Sequence, residues 1–331
     1  AADVIATLVA SGCNVGVCAN SHLAIDNLLV KTSEIARARD WPMSIAKFQS
    51  KTTREEREMF SANQIQVINN NTFHRLHDVY GGTVFALSHP RFEGLLDLLV
   101  IDEASQVPLA NLLSMARCTR NLLLVGDQQQ LPQPVVAEHP GKSGLSCLSF
   151  ATAGEEVISD AKGLFLNTSW RMPPDLCSLV SGTFYQDRLR SHPGNAVNRI
   201  LWDGPASGLF FQAIDHTDSN VYSTAEADAI ADLVARLLDS TFIHNANGTE
   251  RSAPVTWEDI AVMAPFNAQV SLLERILGDK ARVGTVDRFQ GQEAPIAIYS
   301  ITSSSLLSPR ALEFALNANR VNVVIGRAQC M

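Results

Sequence analysis

Two acidic residues follow directly on a short apolar run. Asp102 and Glu103 come after Leu98–Ile101, whose composition predicts a buried strand. A strand that ends in two carboxylates places them at the edge where α/β sheets bind ligands. One carboxylate could hold Mg²⁺ through water while the other orients or deprotonates a water molecule in phosphoryl transfer. The alternative is an ordinary strand before a helix start, where the helix dipole favours acidic residues.

A second polar cluster follows the next apolar run, at residues 122–125. Residues 126–130 read Gly-Asp-Gln-Gln-Gln. The amide of Gln130 can accept a hydrogen bond from water and donate one to a phosphate oxygen. A simple Gly-Asp turn would have the same sequence, so the cluster alone leaves both a phosphate contact and a turn open.

These clusters need elements that position them, and the chain alternates short β-branched runs with helical patterns. The predicted strands are residues 15–19, 65–69, 98–102, 122–126, 164–167, 209–214, 260–264, 283–286, 296–302 and 321–325. The predicted helices are residues 1–11, 23–39, 109–117, 225–239 and 269–277, and Gly12 is predicted to end the first. Continuously apolar strands that alternate with helices predict an α/β fold with parallel sheets covered on both faces.

The chain predicts two such domains. A stretch rich in proline and glycine at residues 132–162 separates two series of elements, so the domains are predicted at residues 1–158 and 159–331. Residues 190–205 and 244–254 are polar and contain glycine and proline, which predicts surface loops.

Composition excludes several classes of protein. The 331 residues include 26 Lys and Arg against 34 Asp and Glu, a net charge of −8, which argues against coating nucleic acid by bulk charge but allows a local basic groove. No apolar run is long enough to span a membrane, and no basic region of a signal peptide opens the chain. The six cysteines are scattered without a CxxC pair, which favours a reduced compartment and a cytoplasmic location.

The order of the polar segments resembles that of superfamily 1 helicases. Residues 19–28 are similar to motif Ia, 102–106 to motif II, 126–132 to motif III, 169–174 to the Tyr-Arg-Met-His-Pro segment, 264–269 to the Pro-Tyr-x-x-Gln segment, 286–293 to motif V and 319–328 to motif VI. The resemblance spans nearly the whole chain and is to superfamily 1B, the subgroup of the nonsense-mediated-decay helicase. It implies two tandem RecA-like domains of the P-loop NTPase type that move on single-stranded DNA or RNA.

The resemblance implies a role for each matching side chain around ATP and Mg²⁺. Asp102 would bind Mg²⁺ through water, and Glu103 would be the catalytic base. Gln130 would couple the γ-phosphate to the nucleic-acid groove, and Arg171 and Arg327 would be arginine fingers that stabilise charge in the transition state.

Three further residues would bind the nucleotide. Glu293 would contact the ribose, Gly291 lies in the same motif, and Trp170 stands where the family has a tyrosine beside the adenine. An indole can still stack on a base. A core residue that fills the interface between the two domains is the alternative for Trp170.

The nucleic-acid contacts implied by the resemblance are Ser21, Thr72 and Thr285, with His74 close by in sequence. Hydroxyl groups at strand ends contact phosphates without reading sequence. His74 and His77 have the spacing of a metal pair but no third ligand, so surface or groove histidines are the preferred interpretation.

The phosphate-binding loop GxxxxGK[ST] of this family is not found in the sequence. Gly141-Lys142-Ser143 is no substitute, because Val136 stands where the loop needs its first glycine. We therefore expect the chain to be a fragment of a longer parent with additional domains, truncated before the first helix and before a last strand. Natural loss of the loop, leaving a nucleotide-independent nucleic-acid-binding module or an interaction scaffold, is the alternative.

Overall fold

The computed structural model describes residues 1–69, 76–133, 139–216, 219–246, 248–304 and 309–331, so Thr72 and His74 lie outside the described residues. The chain divides into two compact units. The first contains residues 1–128 and 132–155, and the second contains residues 129–131 and 156–331. The change at residue 156 lies close to the boundary predicted after residue 158. Residues 129–131, predicted in the first domain, belong to the second unit.

The first unit is built on a parallel six-stranded sheet. Its strands are β1 (Val15–Cys18), β2 (Ile45–Phe48), β3 (Ile65–Ile68), β4 (Val79–Gly81), β5 (Leu98–Ile101) and β6 (Leu122–Leu124), in the order β3-β2-β4-β1-β5-β6. Its helices are α1 (Ala2–Ala10), α2 (His22–Ala38), α3 (Arg54–Ala62), α4 (Val84–Leu87), α5 (Leu109–Met115) and α6 (Cys147–Ala151). All five strand pairs are parallel, so the strands end at a common edge.

Local sequence sets the C-terminal end of α1. After α1, Gly12 adopts φ +92°, its N–H donates to Val9 O, and Cys13 N–H donates to Leu8 O. This is the paired hydrogen-bond pattern of a Schellman motif, which favours glycine at the left-handed position. The predicted end of the first helix is therefore confirmed.

A buried ion pair joins β2 to the first turns of α2. Lys47 Nζ lies 2.5 Å from Asp26 Oδ1, and the two side chains are 0% and 5% exposed. Lys47 Nζ also lies 3.5 Å from the carbonyl oxygen of His22. Burial lowers the pKa of Lys47, and the contact with Asp26 opposes that change.

The described residues of the second unit form three small sheets. Strands β7 (Thr168–Ser169) and β8 (Arg190–Ser191) are parallel. Strands β9 (Arg199–Leu201), β10 (Thr241–Ala246) and β11 (Thr249–Pro254) are antiparallel, and β12 (Ile260–Ala264), β13 (Arg282–Thr285) and β14 (Ile296–Tyr299) form a parallel sheet in the order β13-β12-β14. The helices are α7 (Pro174–Phe184), α8 (Thr224–Leu238), α9 (Asn267–Leu277), α10 (Pro309–Ala315) and α11 (Ala318–Ile325). The buried face of α8 packs with α9 and β12 in the largest apolar cluster of this unit.

The α/β fold class is confirmed, and so are the strands predicted at β1, β3, β5, β6, β12, β13 and β14. The strand predicted at residues 321–325 is wrong, because those residues belong to α11. Asn317 caps that helix by accepting a hydrogen bond from Arg320 N–H. A short apolar run does not distinguish a buried helix from a strand, and the cap decides for the helix.

Other predictions fail at exposed or polar segments. Residues 164–167 and 209–214 are not strands; Leu164 and Phe211 are 83% and 81% exposed, so their apolar character does not reflect burial. Residues 244–254, predicted as a loop, contribute to the β10–β11 hairpin, and residues 190–205 contain β8 and β9. None of the helices in the described ranges has the length and apolar composition needed to cross a membrane.

The buried pair predicts a large difference between single and double variants. Asp26→Ala leaves the Lys47 ammonium buried without its carboxylate and should destabilise the first unit by about 3–5 kcal/mol. The double variant Lys47→Met, Asp26→Leu should recover most of that loss, because no charge then remains to be buried. Urea unfolding followed by circular dichroism measures both. A double variant no more stable than Asp26→Ala would contradict this account.

Candidate functional site

The carboxylate pair of the first unit lies at the common edge of the sheet. Strand β5 is flanked by β1 and β6, and the chain leaves β5 still bonded to both neighbours. Asp102 N–H donates to Cys18 O at 2.8 Å, and Ala104 N–H donates to Val125 O at 2.9 Å. Asp102 and Glu103 are therefore held between the ends of two other parallel strands, the position at which α/β sheets bind ligands.

Asp102 has the environment of a metal-binding carboxylate. Its side chain is half-buried, and burial raises its pKa, although a hydrogen bond of 3.1 Å from Glu103 N–H to Oδ1 opposes the change. A carboxylate that water solvates poorly gains from a cation at the same place. Within the described residues, no group of three or more His, Cys, Asp or Glu side chains is arranged to hold a metal. Mg²⁺ needs only one or two protein carboxylates, because it keeps several of its water ligands.

Glu103 has an unusual backbone conformation. Its φ and ψ are +50° and +45°, in the left-handed region, and a 3₁₀ turn at Ala104–Gln106 follows at once. A residue other than glycine pays about 1–2 kcal/mol for this conformation. Strained residues of this kind are concentrated at functional sites. The left-handed residue and the turn end the extended conformation of β5 immediately after Asp102.

The glycine of the second polar cluster is required by close packing. A Cβ on Gly126 would lie 2.8 Å from Ala104 N and 3.1 Å from Ser105 N, which backbone atoms cannot accommodate without moving. Cys147 lies on the other side of this turn and donates from Sγ to Ala104 O at 3.2 Å. Burial raises the pKa of the Cys147 thiol to about 11. The thiol is therefore a structural hydrogen-bond donor.

The segment similar to motif Ia starts α2. Ser21 is exposed, and its Oγ accepts a hydrogen bond from Ala24 N–H at 3.1 Å, which caps the helix. The side chain of Asn20 donates to Gln106 Oε1 at 3.3 Å. This bond connects the start of α2 with the turn that follows Glu103.

In the second unit, two predicted residues meet. Arg327 is buried, with 4% of its surface exposed, and its Nη2 donates to Gln130 Oε1 at 3.3 Å. Its Nε and Nη1 donate to Val323 O at 3.1 Å and Gln292 O at 3.0 Å. The guanidinium is therefore held on three sides. Sequence reasoning missed Gln292, whose carbonyl gives no signal in the pattern of side chains.

Arg171 and Glu293 also lie together. Arg171 Nε is 2.8 Å from Glu293 Oε2, and Arg171 Nη1 donates to Gly326 O at 2.7 Å. Gln329 donates to the other carboxylate oxygen at 3.1 Å. The ion pair is solvent-accessible, with side chains 30% and 53% exposed. An exposed pair contributes about 1 kcal/mol or less, so either partner can exchange it for a charged ligand.

Trp170 is a surface residue. Its side chain is 73% exposed, so it does not pack in the core of the second unit. One face stacks on His192, with ring centroids 3.8 Å apart and an interplanar angle of 20°. His192 is fixed in turn, because its Nδ1 accepts a hydrogen bond from Gly194 N–H at 3.1 Å.

The remaining predicted positions are at turns. Thr285 ends β13 and starts a 3₁₀ turn, and Gly291 has φ +80° with open space around its Cα. His77, predicted at the surface or in a groove, is 5% exposed and packs edge-on against Tyr80, 5.7 Å between ring centroids. That prediction is wrong, because His77 lies two residues before β4 and is buried against Tyr80 of that strand.

The parallel α/β fold with polar residues at its strand ends defines a class, and comparison with known proteins defines the family. Two family models, both described as AAA domain, match residues 150–331 and 42–138. The first covers more than half of the chain. The chain therefore belongs to the AAA domain family, and it is a superfamily 1 helicase core with RecA-like architecture.

Curated relatives and a solved structure agree with this assignment. The chain is 22% identical over 358 residues to the DNA replication ATP-dependent helicase/nuclease DNA2 of Mus musculus, covering 98% of this chain and 33% of that protein. It is 28% identical over 259 residues to the DNA polymerase alpha-associated DNA helicase A of Schizosaccharomyces pombe, covering 70% of this chain and 36% of that protein. The chain thus spans about a third of the length of these relatives.

The solved structure is a complex of the Arterivirus nonstructural protein 10 (helicase) with DNA. Its TM-score is 0.51 at 12% identity, over 98% of this chain and 56% of that one. At this identity the match concerns the fold.

The left-handed backbone of Glu103 predicts a stabilising substitution. Glu103→Gly removes the strain of φ +50° and should leave the first unit as stable as wild type or up to about 1 kcal/mol more stable. Glu55→Gly, at an exposed helical position of α3, is the matched control and should lose about 0.5–1 kcal/mol. Thermal unfolding measures both. Equal losses in the two variants would show that Glu103 is unstrained.

Proposed function

We propose that the protein containing this chain is an ATP-driven motor that moves along single-stranded nucleic acid. The observation that supports this most directly is the Asp102–Glu103 pair at the carboxyl edge of a parallel sheet in a superfamily 1 core. The half-buried carboxylate of Asp102 is suited to Mg²⁺, and its strained neighbour is suited to orient or deprotonate a water molecule.

Asp102 would hold Mg²⁺ largely through water ligands, because Mg²⁺ dehydrates reluctantly and is usually bound through one or two carboxylates. The metal, when bound with ATP, would neutralise charge on the phosphates. Glu103 would accept the proton of the attacking water.

The arginines of the second unit would supply positive charge to the γ-phosphate. Arg171 is held by an accessible ion pair, so its guanidinium can exchange Glu293 for phosphate oxygens. Arg327 is held by Val323 O, Gln292 O and Gln130 Oε1, so its guanidinium would approach the γ-phosphate from a fixed position. Through its contact with Arg327, Gln130 would couple the presence or absence of the γ-phosphate to the nucleic-acid groove.

The nucleoside would lie against Trp170, Gly291 and Glu293. The face of the Trp170 indole opposite His192 offers a stacking surface for adenine. Glu293, once released from Arg171, would accept hydrogen bonds from the ribose hydroxyls. The open space beside Gly291 lets a ligand approach the backbone closely.

Ser21, Thr285 and Thr72 would contact the phosphates of the strand without reading its sequence. Ser21 is exposed at the start of a long helix, where N–H groups and the dipole favour an anion. The printed names of the two relatives refer to DNA, so single-stranded DNA is the first substrate to test, with RNA as the alternative.

Glu103→Gln tests the proposed base in the longest natural form of the protein that contains these 331 residues. The substitution keeps the size of the side chain and removes its proton acceptor, so kcat should fall by about 10²–10⁴-fold while ATP affinity stays within about threefold. Phosphate release is measured with matched DNA and RNA oligonucleotides, and nucleotide binding with a fluorescent analogue.

The control is Glu93→Gln, which removes an exposed carboxylate paired with Arg117 and should leave kcat unchanged. Hydrolysis by Glu103→Gln at the wild-type rate would exclude Glu103 as the base. A wild-type protein with no hydrolysis on either kind of strand would refute the proposed motor.

A further inference from the structure

Residues 129–131 are anchored to the second unit by two asparagine side chains. Asn322 Nδ2 donates to Gln129 O at 2.9 Å, and Asn319 Nδ2 donates to Gln130 O at 2.7 Å. Leu131 is 6% exposed and packs in an apolar cluster with Met263, Val286 and Phe289, among others. The backbone of the segment is thus held at two successive carbonyls and by a buried side chain.

Asn322 uses both hydrogens of its amide. The second bond of Nδ2 goes to Tyr185 Oη at 2.8 Å, and the residue is 3% exposed. Buried polar groups of this kind are expensive to leave without partners. The side chain therefore has a specific hydrogen-bonding task, which an apolar residue of similar size could not perform.

The arginine that contacts Gln130 lies just beyond the C-terminal end of the helix that carries Asn322. Asn322 lies on α11, and Arg327 follows two residues after the helix, where its Nη2 reaches Gln130 Oε1. One helix thus fixes the backbone at Gln129 through Asn322 and presents Arg327 to the side chain of Gln130.

We propose that Asn322 is a positioning residue that holds the Gln129-Gln130 backbone so that Gln130 contacts Arg327 during ATP hydrolysis. The proposal rests on the proposed function, since hydrolysis is the reaction it serves. Asn322 would contact neither the attacking water nor the γ-phosphate, and it would act through Gln130 and Arg327. Asn319 supports the same segment from a half-buried position one turn earlier on α11.

Asn322→Asp is the sharpest variant. A carboxylate has nearly the same shape as the amide, but it has no hydrogen to donate and places negative charge against Gln129 O. Asn317→Asp is the matched control, because Asn317 caps the same helix by accepting from Arg320 N–H, and aspartate caps equally well. Both variants introduce the same charge on the same helix.

The first measurement requires no catalysis. Methyl NMR of the 331-residue chain follows the Leu131 methyl groups, which are identified by their loss in Leu131→Ile. Asn322→Asp should move them towards the shifts of exposed leucine, whereas Asn317→Asp should leave them in place. Unmoved Leu131 methyl resonances in Asn322→Asp would overturn the proposal.

The second measurement is strand-stimulated ATP hydrolysis by the longest natural form. Asn322→Asp should lower kcat at least about tenfold, because small misplacements of catalytic groups are costly, while KM for ATP changes less than threefold. Tyr185→Phe removes the second acceptor of Asn322 while leaving the bond to Gln129 O in place, and it should stay within about twofold of wild type in kcat. Unchanged kcat in Asn322→Asp with displaced Leu131 would also overturn the proposal.

Asn319→Ala covers the case in which Asn322→Asp fails to fold. It removes the bond to Gln130 O at a half-buried site and should produce the same pattern, a lower kcat at nearly constant KM. Wild-type kcat in that variant would count against the anchoring role. An inactive wild-type protein would refute the motor itself, and the NMR measurement would still decide whether Asn322 holds the segment.

Discussion

Parallel pairing of β5 with β1 and β6 is the constraint on which the candidate site depends. Parallel strands share a direction, so the residues that follow them are delivered to one edge of the sheet. Asp102 N–H and Ala104 N–H continue the pairing beyond the strand by donating to Cys18 O and Val125 O. The carboxylates of the site are therefore positioned by backbone hydrogen bonds, and Gly126 lets the neighbouring turn approach closely enough to support them.

In the second unit, the contacts of two arginine side chains hold positive charge in place. Arg327 is almost wholly buried, and a buried guanidinium needs acceptors for its five N–H groups. Val323 O, Gln292 O and Gln130 Oε1 accept three of these hydrogen bonds. Arg171 is instead paired with the exposed carboxylate of Glu293. One arginine is thus held at three atoms within the fold, whereas the other forms an exposed ion pair.

The sequence predicted the elements that carry strong patterns. Apolar runs at β5 and β12 and the glycine after α1 each contain a local physical signal, and the structure confirms them. Strand β2 is not predicted by the sequence, because Lys47 interrupts its apolar pattern, although that lysine is buried against Asp26. The apolar residues in 321–325 predict a strand, but such a run looks alike in a strand and a helix. The capping Asn317 decides for the helix.

By itself, the sequence determined the α/β class, the order of the motifs and the residue types available for phosphate chemistry. These follow from period and composition, which are properties of neighbouring residues. Only the tertiary structure decided that residues 129–131 belong to the second unit, that Gln130 meets Arg327, and that Arg171 meets Glu293. The physical reason is separation along the chain, because such contacts depend on packing and buried hydrogen bonds for which no local pattern carries a signal.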